Sequence, residues 1–228
     1  ISVYENKNLV DEVINYKRIG CFTYRKEIYK EDVIENLWNY CYNNIKIELE
    51  NYNKNIIDNN ELFKNIDIVF HLAAEARIQP TLKDPVLAAK TNMLGTCTIL
   101  QCAREAGVKR VIYSSTSSAY GLKNEPPLTE DMPNDCLNPY AVTKTGGEEL
   151  CKMFTKLFNL ETVVFRYFNV YGDRQPLKGQ YAPVIGIFLR QKLANEPMTI
   201  VGDGEQRRDF THVSDIVEAN IRASDLSN

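Results

Sequence analysis

The sequence predicts an α/β fold built on a doubly wound parallel sheet, and three observations carry that prediction. Strand-like and helix-like segments alternate from residue 66 onward at the spacing of βαβ units. The strand segments are continuous branched apolar runs, the pattern of strands covered on both faces. Each strand empties into a polar cluster, "HLAAEAR" (71–77), "SSTSSAYG" (114–121) and "RYFNVYG" (166–172), at the carboxyl edge where open α/β sheets bind ligands.

The elements follow in order. The run Ile66 to Phe70 in "NIDIVFHLAA" predicts a buried strand. "PVLAAKTNMLGTCTILQCAREAG", from Pro85, predicts one long helix stopped by Gly107 in the C′ position. "VKRVIYSS" (108–115) is the next strand, and "NEPPLTEDMPNDCLNP" (124–139) is a loop rich in Pro, Asp and Asn. A helix carrying Tyr140 then packs through Leu150, Met153, Phe154 and Leu157 and ends at Asn159. "LETVVFRYFNVYG" (160–172) gives a strand and its exit loop. "APVIGIFLRQKLANE" (182–196) gives a helix. "PMTIVGDGEQRRDFTHVSDIVEANIRASD" (197–225) gives a short strand, a Gly/charged loop and a helix from near Ser214. These last elements read as the beginning of a smaller lobe.

Composition narrows the function classes. The 228 residues carry a net charge of −3, with no concentrated basic patch of the kind nucleic acid requires. No run of 18 apolar residues predicts a membrane span. Composition breaks near residue 60. Residues 1–60 hold twelve of the twenty-two Asn and one of the eleven Gly, so this segment is set apart from the rest. Within it "VIENLWNYC" predicts an amphipathic helix with Val33, Ile34, Leu37, Trp38 and Cys41 on one side. Six cysteines (21, 41, 97, 102, 136, 151) without a CxxC read as free thiols of a reducing, cytoplasmic compartment. Two histidines 141 positions apart make no metal constellation. The chain begins with Ile1, which reads as a fragment or a trimmed product.

Tyr140 and Lys144 stand four apart near the start of a helix, hence on one face. A phenol titrates near 10, and an adjacent ammonium favours the phenolate. A hydroxyl from the Ser/Thr cluster would polarise the same substrate oxygen. Such a trio removes a proton from an alcohol while hydride leaves carbon, or runs the reverse. Taken alone, the pair reads more readily as an ordinary surface contact. Its place after a Ser/Thr cluster at a strand end favours the chemical reading.

"SSTSSAYG", "YAVTK", "RYFNVYG" and "GDGEQRRDFTHVSD", in that order, resemble the extended short-chain dehydrogenase/reductase family, and within it the UDP-glucose and UDP-N-acetylglucosamine 4-epimerases. The resemblance covers about residues 56–228. It implies a Rossmann-like sheet, NAD as cofactor, a nucleotide-diphosphate sugar as substrate, and a homodimer formed through helices 86–106 and 139–158. By the same resemblance Tyr140 is the base, Lys144 holds the nicotinamide ribose and tunes it, and Thr116 is the catalytic hydroxyl, with Ser115 and Ser117 flanking it. His71, Leu72, Ala73, Ala74, Asn92, Ser114, Ser115 and Tyr167 fall at cofactor-side positions, and Thr116, Ser117, Asn169 and Arg208 at substrate positions. Arg207 competes with Arg208. His71 also reads as a satisfied buried histidine, His212 as a loop support, and "GDG" (202–204) as a tight turn. The implied domains are an atypical segment (1–55), an NAD-binding core (56–175) and a partial substrate-binding region (176–228).

Two features separate subclasses. No carboxylate follows Thr116, where the resemblance places Asp-Glu in sugar 4,6-dehydratases and Glu in decarboxylases; this favours epimerisation by oxidation at C4, rotation of the keto sugar and re-reduction. The family's GxxGxxG loop is absent, Gly20 being the sole glycine before residue 95. The fold therefore reads as truncated at its N-terminus. An active epimerase or part of one, an inactive homologue or interaction domain, and a sugar or ketone reductase remain as readings.

Overall fold

In the computed structural model of the protein the described residues are 63–172, 175 and 183–225, together with the backbone of Cys21–Tyr24. Three parallel strands form the centre: β2 (Ile68–His71), β3 (Arg110–Thr116) and β4 (Glu161–Tyr167). Phe70 pairs with Ile112, Ile112 with Val163, and Thr116 with Tyr167. β1 (Cys21–Tyr24) lies beside β2 but runs antiparallel to it, completing the order β1-β2-β3-β4. The reading of 1–55 as an atypical segment gives no strand there. "CFTY" is too short to show a period, and an antiparallel edge on a parallel block is common. The helix expected over "VIENLWNYC" lies outside the described residues, as does the segment in which the glycine loop was sought.

Both faces of the sheet are covered, which is why the strands lack alternation. Val69, Val111 and Tyr113 pack with Ile99, Leu100, Cys151 and Phe154 on one face. Ile68, Phe70 and Ile112 pack with Val213, Val217 and Ile221 on the other. At about 25 cal/mol per Å² of apolar surface buried, these two layers are the dominant favourable contribution to folding.

The segment expected as one helix from Pro85 is divided. α1 (Ile78–Lys83) precedes it, then α2 (Pro85–Ala89), a π-helical turn (Lys90–Leu94) and α3 (Gly95–Glu105). The wide turn sits where buried Asn92 bonds out of the helix to two other segments, and such bulges often mark functional positions. Gly107 follows α3 at φ +73°, as its C′ role requires.

α4 (Pro139–Phe158) begins with Asn138, whose side chain accepts from the Ala141 amide at 2.9 Å, and with Pro139 in the first turn. It ends at Asn159 in the left-handed conformation. Its buried face differs from the expected one: Met153 and Leu157 are exposed, while Ala141, Lys144, Glu148, Cys151 and Phe154 face inward. Two glycines explain the shift. A Cβ on Gly147 would stand 2.2 Å from the Tyr113 hydroxyl, and one on Gly146 2.8 Å from the Met93 methyl. Their bare backbone brings this face of α4 against β3 and the π turn.

Beyond β4, β5 (Asn169–Tyr171) pairs in parallel with β6 (Phe210–His212). α5 (Val184–Leu193) lies where expected. The strand expected in "PMTIV" is absent, since residues 196–201 adopt no regular element; the strand is β6, where pairing with β5 satisfies the backbone. α6 (Val213–Ser224) starts one residue before Ser214, capped by His212, whose Nδ1 accepts from the Ser214 amide at 3.3 Å. Gly202 and Gly204, at φ +67° and +82°, make the "GDG" turn. Among the described residues no helix is long and apolar enough to cross a membrane, and no group of three or more His, Cys, Asp or Glu is placed to hold a metal.

Candidate functional site

The carboxyl ends of β2, β3 and β4 face the first turns of α4, and the parallel connections deliver the polar clusters there. β3 ends at Thr116, which opens a 3₁₀ turn (Ser117–Tyr120) and accepts from the Ser118 amide at 3.1 Å. The Thr116 hydroxyl also acts on the Tyr140 phenol, favouring its ionised form. Ser117 is half-buried at the start of that turn. Ser115 bonds Glu148, farther along α4. Ser114 leaves its buried hydroxyl without a hydrogen-bond partner.

Burial pushes the Tyr140 phenol up from its ordinary value, while the Thr116 hydrogen bond and the charge of Arg77 pull it down. Arg77, and not Lys144, is the charge that pulls it down in this structure. Lys144 is itself buried, which lowers its ammonium to about 7. Its Nζ lies 4.2 Å from the Tyr113 ring centroid, a cation–π contact. Burial is the largest influence at both groups.

His71, the last residue of β2, is fully buried, with its ring 5.5 Å from that of Tyr113. The Thr96 hydroxyl gives its hydrogen to the Asn92 carbonyl at 2.7 Å, so His71 Nε2 donates to Thr96 at 2.9 Å. Burial, and secondarily the charge of Lys144, lower the imidazole to about 3, so it is neutral. The side chain is thus the satisfied buried histidine. Leu72 packs on the α6 side, Ala73 is buried and Ala74 half-buried. Asn92 braces the loop after β2 to α4. It accepts from the Glu75 amide at 2.8 Å and donates to the Glu75 carbonyl at 3.1 Å and the Thr143 hydroxyl at 2.9 Å.

Tyr167, at the end of β4, accepts through its hydroxyl from Asn220 at 2.6 Å. Asn169 donates to the Asp209 carbonyl at 2.9 Å. "RYFN" and "RRDF" are therefore adjacent through β5 and β6, with Arg208 exposed and its guanidinium 2.6 Å from the Arg207 carbonyl. The structure thus gathers Thr116, Ser114, Tyr140, Lys144 and the Asn92 brace at one edge. It sets Ser115 and the His71 ring on the inner face of the sheet.

Sequence reasoning missed five contributors. Glu148 continues the Tyr140–Lys144 spacing by another four residues, a signal that was present. Arg166, Tyr113 and Asn220 act across long separations and left none. Arg77, at φ +80°, holds a backbone conformation that non-glycine residues rarely adopt, beside Tyr140 in charge.

A parallel sheet with a Thr/Tyr/Lys group at its carboxyl edge is the architecture of an extended short-chain dehydrogenase/reductase. The chain belongs to the NAD dependent epimerase/dehydratase family, matched over residues 19–227. It is 42% identical over 181 residues to a UDP-N-acetyl-alpha-D-glucosaminuronate decarboxylase of Bacillus cytotoxicus, covering 75% of this chain and 54% of that protein. A structure of UDP-N-acetylglucosamine 4-epimerase from Methanobrevibacter ruminantium M1, in complex with UDP-N-acetylmuramic acid, matches with TM-score 0.71 and 36% identity over 74% of this chain and 55% of that one. A structure of UDP-glucuronic acid 4-epimerase from Bacillus cereus, with UDP-glucuronic acid and NAD, matches with TM-score 0.68 and 34% identity over 76% and 55%. The chain thus spans about half the length of these relatives.

Proposed function

We propose that the protein is, or forms part of, an NAD-dependent 4-epimerase of UDP-sugars, with Thr116, Tyr140 and Lys144 as its reacting and binding groups. The observation that carries this reading is the meeting of Thr116, Tyr140 and the buried Lys144 at the carboxyl edge of β3 and the start of α4. The nicotinamide half of the cofactor fits the residues present. Ser114 offers a buried hydroxyl without a partner, Lys144 a buried cation, and Asn92 a braced loop. The dinucleotide loop GxxGxxG has no counterpart in the sequence.

NAD, when bound, supplies the acceptor and donor of hydride. The chain's own residues handle the proton and the sugar. Burial favours protonated Tyr140, the form that donates to a ketone oxygen; Thr116 and Arg77 favour the phenolate, the form that accepts from a C4 hydroxyl. Thr116 orients that oxygen. Arg208 and Asn169 stand on adjacent strands, where a guanidinium fork suits diphosphate oxygens. "TSSA" after β3 carries no carboxylate, which supports epimerisation over elimination or decarboxylation even though a decarboxylase is among the relatives. Free thiols at Cys97, Cys102, Cys136 and Cys151 agree with a reducing compartment, the cytoplasm. The exposed Val86, Met93, Leu94, Val142, Met153 and Leu157 of α2–α3 and α4 support a homodimer through those helices. In this reading residues 56–175 are the core and 176–228 the substrate-binding region.

The test is epimerisation in deuterium oxide, followed by proton NMR on UDP-glucose, UDP-N-acetylglucosamine and UDP-glucuronate with added NAD. The expected product is the C4 epimer with its C4 hydrogen retained, because hydride returns to the carbon it left. Absence of any C4 epimer from all three would refute the reading.

A further inference from the structure

Glu148 stands four residues beyond Lys144 on the inner face of α4 and is buried. Its carboxylate accepts from the Ser115 hydroxyl on β3 and from Arg166 on β4, Nε at 3.0 Å and a terminal nitrogen at 2.7 Å. The same Arg166 nitrogen donates to the Asn134 side chain at 2.7 Å, in the loop that leads into α4, and the guanidinium lies 4.9 Å from the Tyr120 ring centroid. One carboxylate therefore ties together two strands, the helix of Tyr140 and Lys144, and the loop preceding it.

We propose that Glu148 is a positioning residue of this site: its carboxylate, ion-paired with Arg166, is the pivot that fixes α4 against the ends of β3 and β4 and acts along the buried face of that helix on the Lys144 ammonium four residues before it. The inference rests on the epimerase reading only for its consequence in turnover; the charge relation is a property of the chain itself.

The groups facing Lys144 are few. From α4 they are Tyr140, Cys151 and Glu148; from β3, Tyr113; from β2, the neutral His71; Arg166 of β4 reaches it through Glu148. Against the burial that lowers Lys144 stand Cys151 and then Glu148. Burial pushes the Cys151 thiol up to about 12, so it is uncharged where Lys144 titrates. Tyr113 is likewise held well above its ordinary value. Glu148, itself paired with Arg166, is left as the anion that favours the charged ammonium.

The test is NMR titration of Lys144 in the full chain labelled with carbon-13 at lysine Cε, comparing wild type, Glu148→Gln and the exposed control Glu149→Gln. The expected result is a downward shift of the Lys144 midpoint by about a unit, a tenfold change in its acid dissociation constant, in Glu148→Gln alone. A merely structural role would loosen the site, hydrate Lys144 and move the midpoint upward. An unchanged or raised midpoint in folded Glu148→Gln overturns the proposal. Should that variant fail to fold, wild type labelled at the glutamate carboxyl carbon decides. The Glu148 resonance is expected to move at the Lys144 midpoint, and a resonance indifferent to it overturns the proposal. Neither readout needs turnover, so failure here is distinct from failure of the epimerase reading.

Discussion

Ser115 and Thr116 are neighbours at the end of β3, yet their hydroxyls meet α4 at different points along its inner face: Ser115 bonds buried Glu148, and Thr116 acts on Tyr140 near the helix start. Thr116→Val should lower kcat at least tenfold with little change in the urea midpoint. Ser115→Ala should instead lower stability by about 1.5–3 kcal/mol, the worth of a hydrogen bond to a charged group. Parallel kinetics and urea titrations of the two variants check this; the reverse pattern would reassign the site.

His71 gives the protein an acid sensitivity of calculable sign. Its folded value is about 3 against an ordinary 6.5, so the unfolded chain binds the extra proton between these values. The stability its neutral form contributes is fully present above pH 6.5 and is lost as pH falls toward 3, about 5 kcal/mol in all. Urea midpoints of His71→Gln measured across that window should show a flatter pH dependence than wild type.

Lys144 runs the same argument at higher pH. A folded value of about 7 against 10.5 means that the penalty of burying the ammonium is complete below pH 7 and fades as pH rises to 10.5. Lys144→Met should therefore be more stable than wild type at pH 6 by a few kcal/mol, with the gap closing toward pH 10.5, while activity is lost. This is the pattern of a residue kept for function against stability. Chemical denaturation at the two pH values reads it.

Gly147 is the tightest contact between α4 and the sheet. Glycine inside a helix ordinarily weakens it by roughly 0.5–1 kcal/mol relative to alanine. Here alanine would put Cβ 2.2 Å from the hydroxyl of fully buried Tyr113, which itself donates to the Lys144 carbonyl at 3.2 Å. Gly147→Ala should destabilise by about 1–3 kcal/mol, as overpacking does, and lower the thermal midpoint.

Much of this was legible in the sequence because it is local. The runs at 66–70 and 108–115, Gly107, Asn159 and the Tyr140–Lys144 spacing are short-range signals, and the residues after 66 adopt the elements they announce. What escaped depends on partners far along the chain. Asn92 opens a π turn to reach Thr143, 51 residues away. Arg166 and Glu148 meet across a strand and a helix. β6 forms at 210–212 because β5 is there to pair with it. The direction of the Tyr140 shift escaped for another reason: spacing shows which groups are neighbours but not how far both are buried.

The central claim is that Tyr140 moves the proton at the sugar's C4 oxygen. The most direct measurement is turnover of UDP-sugar by Tyr140→Phe beside its affinity for NAD. The phenyl ring retains the packing and loses the hydroxyl that Thr116 meets. Turnover is predicted to fall about 10²–10⁴-fold, the usual worth of a general acid–base group, with NAD affinity close to that of the wild type. Turnover at the wild-type rate in Tyr140→Phe would contradict the account.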